Sequence, residues 1–295
     1  MKYMFTSKLS ILVRLFLISL LCNSCQDYRK LTHIDKLPQT LKEISGIEYS
    51  SNSDVIWMIN DSGNKNWIYV YNPNTKSIQR HIEITNSKNR DWEDLARGPN
   101  DQLYIGDFGN NLNTRKNLVI YSINNISDIS TDKTSAIETS FYFEDQVKFP
   151  PKKKNLNYDV EAFIYLNTNF YLFTKNKSKP FNGISKVYKI PAKEGLHKAV
   201  LIGRYKTCNN ASECAITSAA INYNTGTIAL LSSTHVWLLR AYKNEDFFNG
   251  TIKKIKLGFS SQKESICFKN DSVLYITDER NKFKGGNLYQ LEIEQ

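Results

Sequence analysis

The chain has 295 residues and a formal charge of +10, with 41% hydrophobic and 12% aromatic residues. That apolar content excludes a disordered chain, and 17 Tyr with 15 Phe favour strands over helices. The length suits one closed all-β domain. No recognised nucleic-acid motif accompanies the positive charge, so runs such as Pro150-Pro151-Lys152-Lys153-Lys154 read as solvated loops and no nucleic-acid partner is expected.

At the N-terminus, Lys2 and Lys8 precede an apolar stretch from Ile11 to Leu21, broken by Arg14 and Ser19 and too short to span a bilayer comfortably. It reads as an export signal over residues 1–24, and losing Lys2, Lys8 and Arg14 with it takes the charge from +10 to +7. The segment Leu20-Leu21-Cys22-Asn23-Ser24-Cys25-Gln26-Asp27 resembles the bacterial lipoprotein signal, in which a small residue precedes a cysteine that becomes acylated. Ser24 is small and Leu21 is bulky, so Cys25 is the expected lipidation site. Residues 25–30 then form a tether and residues 31–295 the folded domain. The expected location is the bacterial cell envelope, on a membrane through the lipid anchor.

Along the rest of the chain one unit recurs five times: an apolar strand, a polar turn and a second apolar strand. The hairpins run from Ser45 to Asn60, Glu93 to Gly106, Glu161 to Thr174, Ser218 to Ser232 and Glu264 to Thr277. A third strand follows each, at Ile68 to Tyr71, Leu118 to Ile123, Lys186 to Ile190, Val236 to Arg240 and Asn287 to Leu291. Fourth strands are expected at Ile78 to Ile84, Ile137 to Phe143, Ala199 to Tyr205 and Ile252 to Leu257. The last unit lacks one, and Leu31 to Asp35 at the other end of the chain is a strand without a unit. Pairing the two ends removes exposed edges, which predicts a β-propeller of about five four-stranded blades closed by the N-terminal strand. Six blades is the alternative, with the extra one hidden between Asn124 and the proline-lysine loop. A β-sandwich would need neither five matching hairpins nor an orphan strand.

Cys208 and Cys214 flank the turn-rich Asn209-Asn210-Ala211-Ser212, and an exported protein can oxidise such a pair, so a disulfide is expected there. Cys267 sits in an apolar run and reads as a small buried hydrophobe. His33, His81, His197 and His235 fall on or near third or outer strands and read as structural. Of the tryptophans, only Trp92, between Asp91 and Glu93, is a candidate to face the channel or a neighbouring blade, with core packing the expected role.

In a propeller blade the start of the first strand adjoins the end of the second. That geometry gathers Glu43, Asp91, Glu93, Asp159, Glu161 and Glu264 with Asp61, Asp107, Asp278 and Glu279 on one face, ten of the chain's 29 carboxylates. Concentrated like charge requires a cation, a basic group or backbone donors, and Lys175 is one candidate donor. The stretches Asn60-Asp61-Ser62-Gly63-Asn64 and Gly106-Asp107-Phe108-Gly109-Asn110-Asn111 add amide oxygens of the kind calcium prefers, without EF-hand spacing. The candidate metal ligands are Glu93, Glu161, Glu264, Asp107, Asp61 and Asp159, and hydrogen bonding within turns is the competing role. Serine-hydrolase elbows, zinc-protease motifs and phosphate loops are absent from the sequence.

Taken together, Glu43-Ile44-Ser45-Gly46-Ile47, Asn60-Asp61-Ser62-Gly63, Arg90-Asp91-Trp92-Glu93-Asp94, Gly106-Asp107-Phe108-Gly109-Asn110 and Asp159-Val160-Glu161-Ala162 resemble a group of bacterial secreted propellers. That group is similar to SdiA-regulated proteins, phytase-like esterase domains and gluconolactonase-type propellers, and the resemblance covers residues 31 to 295. It implies the propeller more firmly than an activity. In gluconolactonase-like relatives, channel carboxylates and amides hold a divalent metal that polarises an ester. Glu93, Glu161 and Glu264 match that placement, whereas Ser45 and Ser218 depart from it. The expectation is a scaffold whose acidic, calcium-binding mouth receives a protein, glycan or small-molecule ligand. The alternative is a metal-dependent hydrolase of an ester, lactone or phosphate monoester, with Asp91 or Glu93 as base.

Overall fold

The computed structural model describes residues 27–282 and 284–294. Cys25 and the export signal lie outside the described residues. Strand β1 (Thr32–Lys36) leads into a first unit of β2 (Ile44–Ser50), β3 (Val55–Asn60), β4 (Trp67–Asn72) and β5 (Ser77–Ile84). The second comprises β6 (Trp92–Arg97), β7 (Leu103–Asp107), β8 (Leu118–Ile123) and, after the two-residue β9 (Lys133–Thr134), β10 (Ile137–Phe143). β11 (Asp159–Leu166), β12 (Asn169–Lys175), β13 (Ile184–Pro191) and β14 (Gly195–Lys206) form the third. The fourth holds β15 (Ile216–Ile221), β16 (Ile228–Ser232), β17 (His235–Arg240) and β18 (Thr251–Lys256), and the chain ends with β19 (Lys263–Asn270), β20 (Val273–Asp278) and β21 (Asn287–Glu292). Among the described residues no helix is long and apolar enough to cross a membrane.

Within each unit the strands pair antiparallel in chain order. β1 adds to β21 as the outer strand of the last sheet, with Thr32 opposite Gln290 and Lys36 opposite Asn287. The outer strands β10 and β14 pair parallel, so the second and third units share one eight-stranded sheet and cover each other's edges. The segment suspected of hiding another blade forms β9 instead, a fifth strand on the first sheet.

Apolar side chains gather into clusters between neighbouring units. In β3, Ile56 and Met58 pack with Cys267 and Tyr275 of the last unit, while Trp57 and Ile59 face the other way onto Leu95 and Ile105 of the second. Further clusters join the second unit to the third, the third to the fourth and the fourth to the last. Alternate side chains of one strand therefore serve two different interfaces. That is why Val55-Ile56-Trp57-Met58-Ile59 reads as an unbroken apolar run and not as an in-out alternation.

Each first strand starts with a β-bulge: the pairing skips one residue between Ile44 and Gly46, Trp92 and Asp94, Val160 and Ala162, Ile216 and Ser218, and Lys263 and Ser265. The skipped residues are Ser45, Glu93, Glu161, Thr217 and Glu264. A bulge re-aims a side chain out of the ladder, and the residue after it faces the neighbouring first strands. Asp94 occupies that second position, fully buried. Its Oδ1 accepts from Leu95 N at 3.0 Å and Ser218 Oγ at 3.0 Å, and its Oδ2 from Phe163 N and Ala219 N, each at 3.2 Å. Ser218 Oγ in turn accepts from Ile266 N at 3.1 Å. One carboxyl thus links β6, β11 and β15 and, through Ser218, β19. Asp94→Ala would strand the Phe163 and Ala219 amides, so urea denaturation should show a loss of about 2 to 6 kcal/mol; an unchanged midpoint would mean the hub carries no stability.

Candidate metal-binding mouth

The bulges and the second-strand ends meet around a cavity of about 240 Å³. Ser45, Glu93, Glu161 and Glu264 enter it from the bulges, and Asp61, Lys175 and Glu279 from the ends of β3, β12 and β20. Carboxylates from distant parts of the chain therefore do converge. Glu93, Asp61 and Asp91 offer oxygens within 4.8 Å of one another, and so do Glu93, Asp159 and Glu161, with Glu93 common to both groups.

The register differs from expectation by one residue at three places. Asp107 and Asp278 lie opposite Trp92 and Lys263, one step before the bulges. Successive strand residues point to opposite faces, so both turn into their sheets. Asp107 pairs with Arg115 at 2.7 Å, and Asp278 accepts from Tyr289 Oη at 2.8 Å and Asn287 N at 2.9 Å. Neither lines the cavity, whose members at that level are Asp61 and Glu279. In the fourth unit the bulged residue is Thr217, not Ser218. Glu43 stays near the rim, accepting from Asn64 Nδ2 at 2.6 Å. Aligning Ile44-Ser45-Gly46-Ile47, Trp92-Glu93-Asp94-Leu95, Val160-Glu161-Ala162-Phe163, Ile216-Thr217-Ser218-Ala219 and Lys263-Glu264-Ser265-Ile266 carries this register. The same alignment marks Asp94 as the one charged residue in a column of small ones, a signal that pointed to the hub.

Two lysines enter this acidic environment. Lys175 Nζ lies 2.7 Å from Glu161 and 3.9 Å from Glu264, and Lys177 Nζ lies 3.4 Å from Asp159 Oδ2. Burial alone would lower the Lys175 ammonium, but Glu161, Glu264, Glu93 and Asp159 outweigh it and hold it well above its ordinary value. Glu93 is 7% exposed and accepts no hydrogen bond among the described residues. Burial, then the Glu161, Asp61, Asp159 and Asp91 charges, push its carboxyl far up. Asp159 is fully buried; Asn110 N donates to Oδ1 at 2.6 Å, while Oδ2 receives no hydrogen bond. Burial, then Glu161, raises this carboxyl against the pull of Lys177. Burial, with Asp61, raises Asp91 to about 6. Burial brings Glu264 to about 7 and, with Glu264 and Asp61 adding to it, Glu279 to about 8. Gly109 permits this crowding, since a Cβ there would collide with the Glu93 and Asp91 carboxylates.

Other candidates sit elsewhere. Trp92 is fully buried against Tyr121, in the cluster between the first two units and not in the channel. His81 stacks on Trp67, His33 contacts Asn287, His197 contacts the Lys193 carbonyl, and His235 contacts Thr234. Cys208 and Cys214 form a disulfide with Cα atoms 5.8 Å apart, closing a loop that holds the short helix α1 (Ala211–Cys214). Cys267 is buried in the cluster between the last and first units.

No protein-family profile matches the sequence, and no curated protein is detectably similar to it. Among solved structures, the chain is similar to the PQQ-bound aldose sugar dehydrogenase of Streptomyces coelicolor at 9% identity and TM-score 0.50, over 90% of this chain and 98% of that one. A gluconolactonase of Xanthomonas campestris is 9% identical over 92% of this chain and 93% of its own, with TM-score 0.49. A putative gluconolactonase is 9% identical over 90% and 94%, with TM-score 0.48. At such identities the likeness speaks for fold alone: the protein is an all-β chain of the propeller class, and gluconolactonase-type propellers are among its structural neighbours.

A carboxyl whose folded pKa is raised binds protons that the unfolded chain has already released, so its contribution to stability falls as pH rises from its unfolded pKa through its folded one. For Asp91, Glu264 and Glu279 that window runs from about 4 to between about 6 and about 8. In chelator the melting midpoint should fall between pH 5 and pH 8, and a midpoint that climbs over that range would contradict the burial of these acids.

Proposed function

We propose that the protein is a five-bladed, closed β-propeller whose acidic mouth binds a divalent cation, calcium by its donor chemistry, and hydrolyses an ester or lactone. The pairing of β1 with β21 and the sequence of first strands in contact, β2, β6, β11, β15, β19 and again β2, support the closed five-bladed reading. The observation that carries the site is Glu93, a buried carboxylate without a hydrogen-bond partner among the described residues and shared by two groups of converging acids. All-carboxylate donors suit a hard cation and not zinc or copper. Asp61, Asp91 and Glu93 would hold it, because Asp159 and Glu161 already face Lys177 and Lys175.

A cation held there supplies Lewis-acid polarisation of the ester carbonyl. Glu264, in the same cavity but outside both acid groups, is the general base, its pKa of about 7 suiting proton abstraction at neutral pH. Its carboxylate takes a proton from water as the water oxygen bonds to the acyl carbon, and returns it to the departing alkoxide when the ester C–O bond breaks. The Lys175 ammonium faces the same space and favours negative charge developing there. Export and anchoring through Cys25 belong to this proposal as the means of placing the mouth outside the cell. The two internal lysine pairs favour the second reading, a non-catalytic scaffold that presents the same face to a protein, glycan or small molecule.

Free calcium in the millimolar range is expected to raise the melting midpoint, and Glu93→Gln to abolish that rise; no shift in the wild type removes the cation. In a screen of esters and lactones, Glu264→Gln should cut kcat by about 100-fold or more while leaving the calcium-dependent melting shift intact. A calcium shift without turnover of any substrate would favour the scaffold. Mass spectrometry of the mature N-terminus should find an acylated Cys25, and a free thiol there excludes the anchor.

A further inference from the structure

Beside the acidic mouth lies a groove of about 660 Å³, with Asn111 and Lys177 in the walls of both cavities. Its volume falls in the ordinary range for small-ligand sites, roughly 300 to 1,000 Å³. The two cavities differ in chemistry. Leu112, Pro151 and Phe181 give the groove apolar walls, and Lys153 and Lys179 stand among them. Neither ammonium has a carboxylate within 4.0 Å among the described residues, whereas Lys177 on the boundary is turned to Asp159.

The walls are held in place. Leu112 is 75% exposed, yet its neighbour Asn113 is fully buried. Asn113 Oδ1 accepts from Tyr158 N at 2.9 Å, Asn113 Nδ2 donates to Asn110 O at 2.9 Å, and Gln146 Nε2 donates to the Asn113 carbonyl at 2.9 Å. On the other wall, Lys179 N donates to Lys153 O at 3.0 Å and Lys177 N to Leu156 O at 2.9 Å, which ties the two lysine-bearing loops together. A large apolar side chain presented to water from a fastened loop is poised for contact, and a preformed wall spares a ligand the cost of ordering it.

We infer that this groove receives a small amphipathic anion, an apolar chain or ring ending in a carboxylate, sulfate or phosphate. The apolar part lies against Leu112, Pro151 and Phe181, and the anionic end meets Lys153 and Lys179. Charge complementarity selects that occupant: an anion is drawn to the two unpaired ammoniums and repelled by the carboxylates next door, so it is oriented with its charged end away from the mouth. Resting on the hydrolytic reading of that mouth, the groove names the substrate class as an ester or lactone whose apolar portion carries a separate anionic terminus, in place of a polyhydroxylated sugar lactone.

Decanoate binding, followed by displacement of 1-anilinonaphthalene-8-sulfonate fluorescence, tests the groove. Leu112→Asp and the double variant Lys153→Glu/Lys179→Glu should each weaken decanoate at least tenfold with melting midpoints close to wild type, and Glu93→Gln should leave binding unchanged. Equal affinity in both groove variants overturns the inference. So does equal binding of neutral decanol, which would leave the lysines without a role. Binding to phosphatidylglycerol vesicles without affinity for monomeric decanoate also overturns it, marking the face as a membrane contact. Decanoate binding that obeys these variants, in a protein that hydrolyses no ester, sustains the groove while the catalytic reading of the mouth falls.

Discussion

The Asp94 carboxyl, buried among four donors from three first strands, is the point at which the units are tied together. Its position follows from the bulge one residue earlier. Because each first strand carries the same extra residue, Ser45, Glu93, Glu161 and Glu264 turn towards the mouth, while Asp94 and Ser218, each one step past a bulge, reach neighbouring first strands. Structure and site therefore share one backbone feature. Glu93 and Asp94, adjacent in sequence, divide the two roles between them.

Electrostatics gives the mouth its character. Seven carboxylates (Asp61, Asp91, Glu93, Asp159, Glu161, Glu264 and Glu279) converge on two ammoniums, in a chain of formal charge +10. Little of that positive charge reaches the place where it would neutralise them, since Lys153 and Lys179 stand over the adjoining groove. Burial and mutual repulsion consequently hold protons on Asp61, Asp91, Glu93, Asp159, Glu264 and Glu279 to unusually high pH. Acidic cavity and basic, apolar groove side by side make a polarised face suited to a ligand with two chemically different ends.

Much of this was legible in the chain. Leu118–Ile123 and Ile137–Phe143 are strands with the boundaries that their apolar patterns suggest, and the partnership of the first and last strands followed from an unmatched segment at each end. Glu93, Glu161 and Glu264 meet as the repeat implies. The failures lay one residue away: Asp107 and Asp278 were placed on the rim because a hairpin pattern does not say where a bulge falls, and one skipped residue exchanges the two faces of a strand.

Sequence alone determined the repeating hairpins, the β class and the carboxylate-rich strand starts, because alternation and turn residues are local properties of the chain. Tertiary structure decided which acids share a cavity, which ones are spent on Arg115 or Tyr289, and where the lysines stand relative to them. Those outcomes depend on bulge register and on the desolvation that comes only when distant strands close over a side chain.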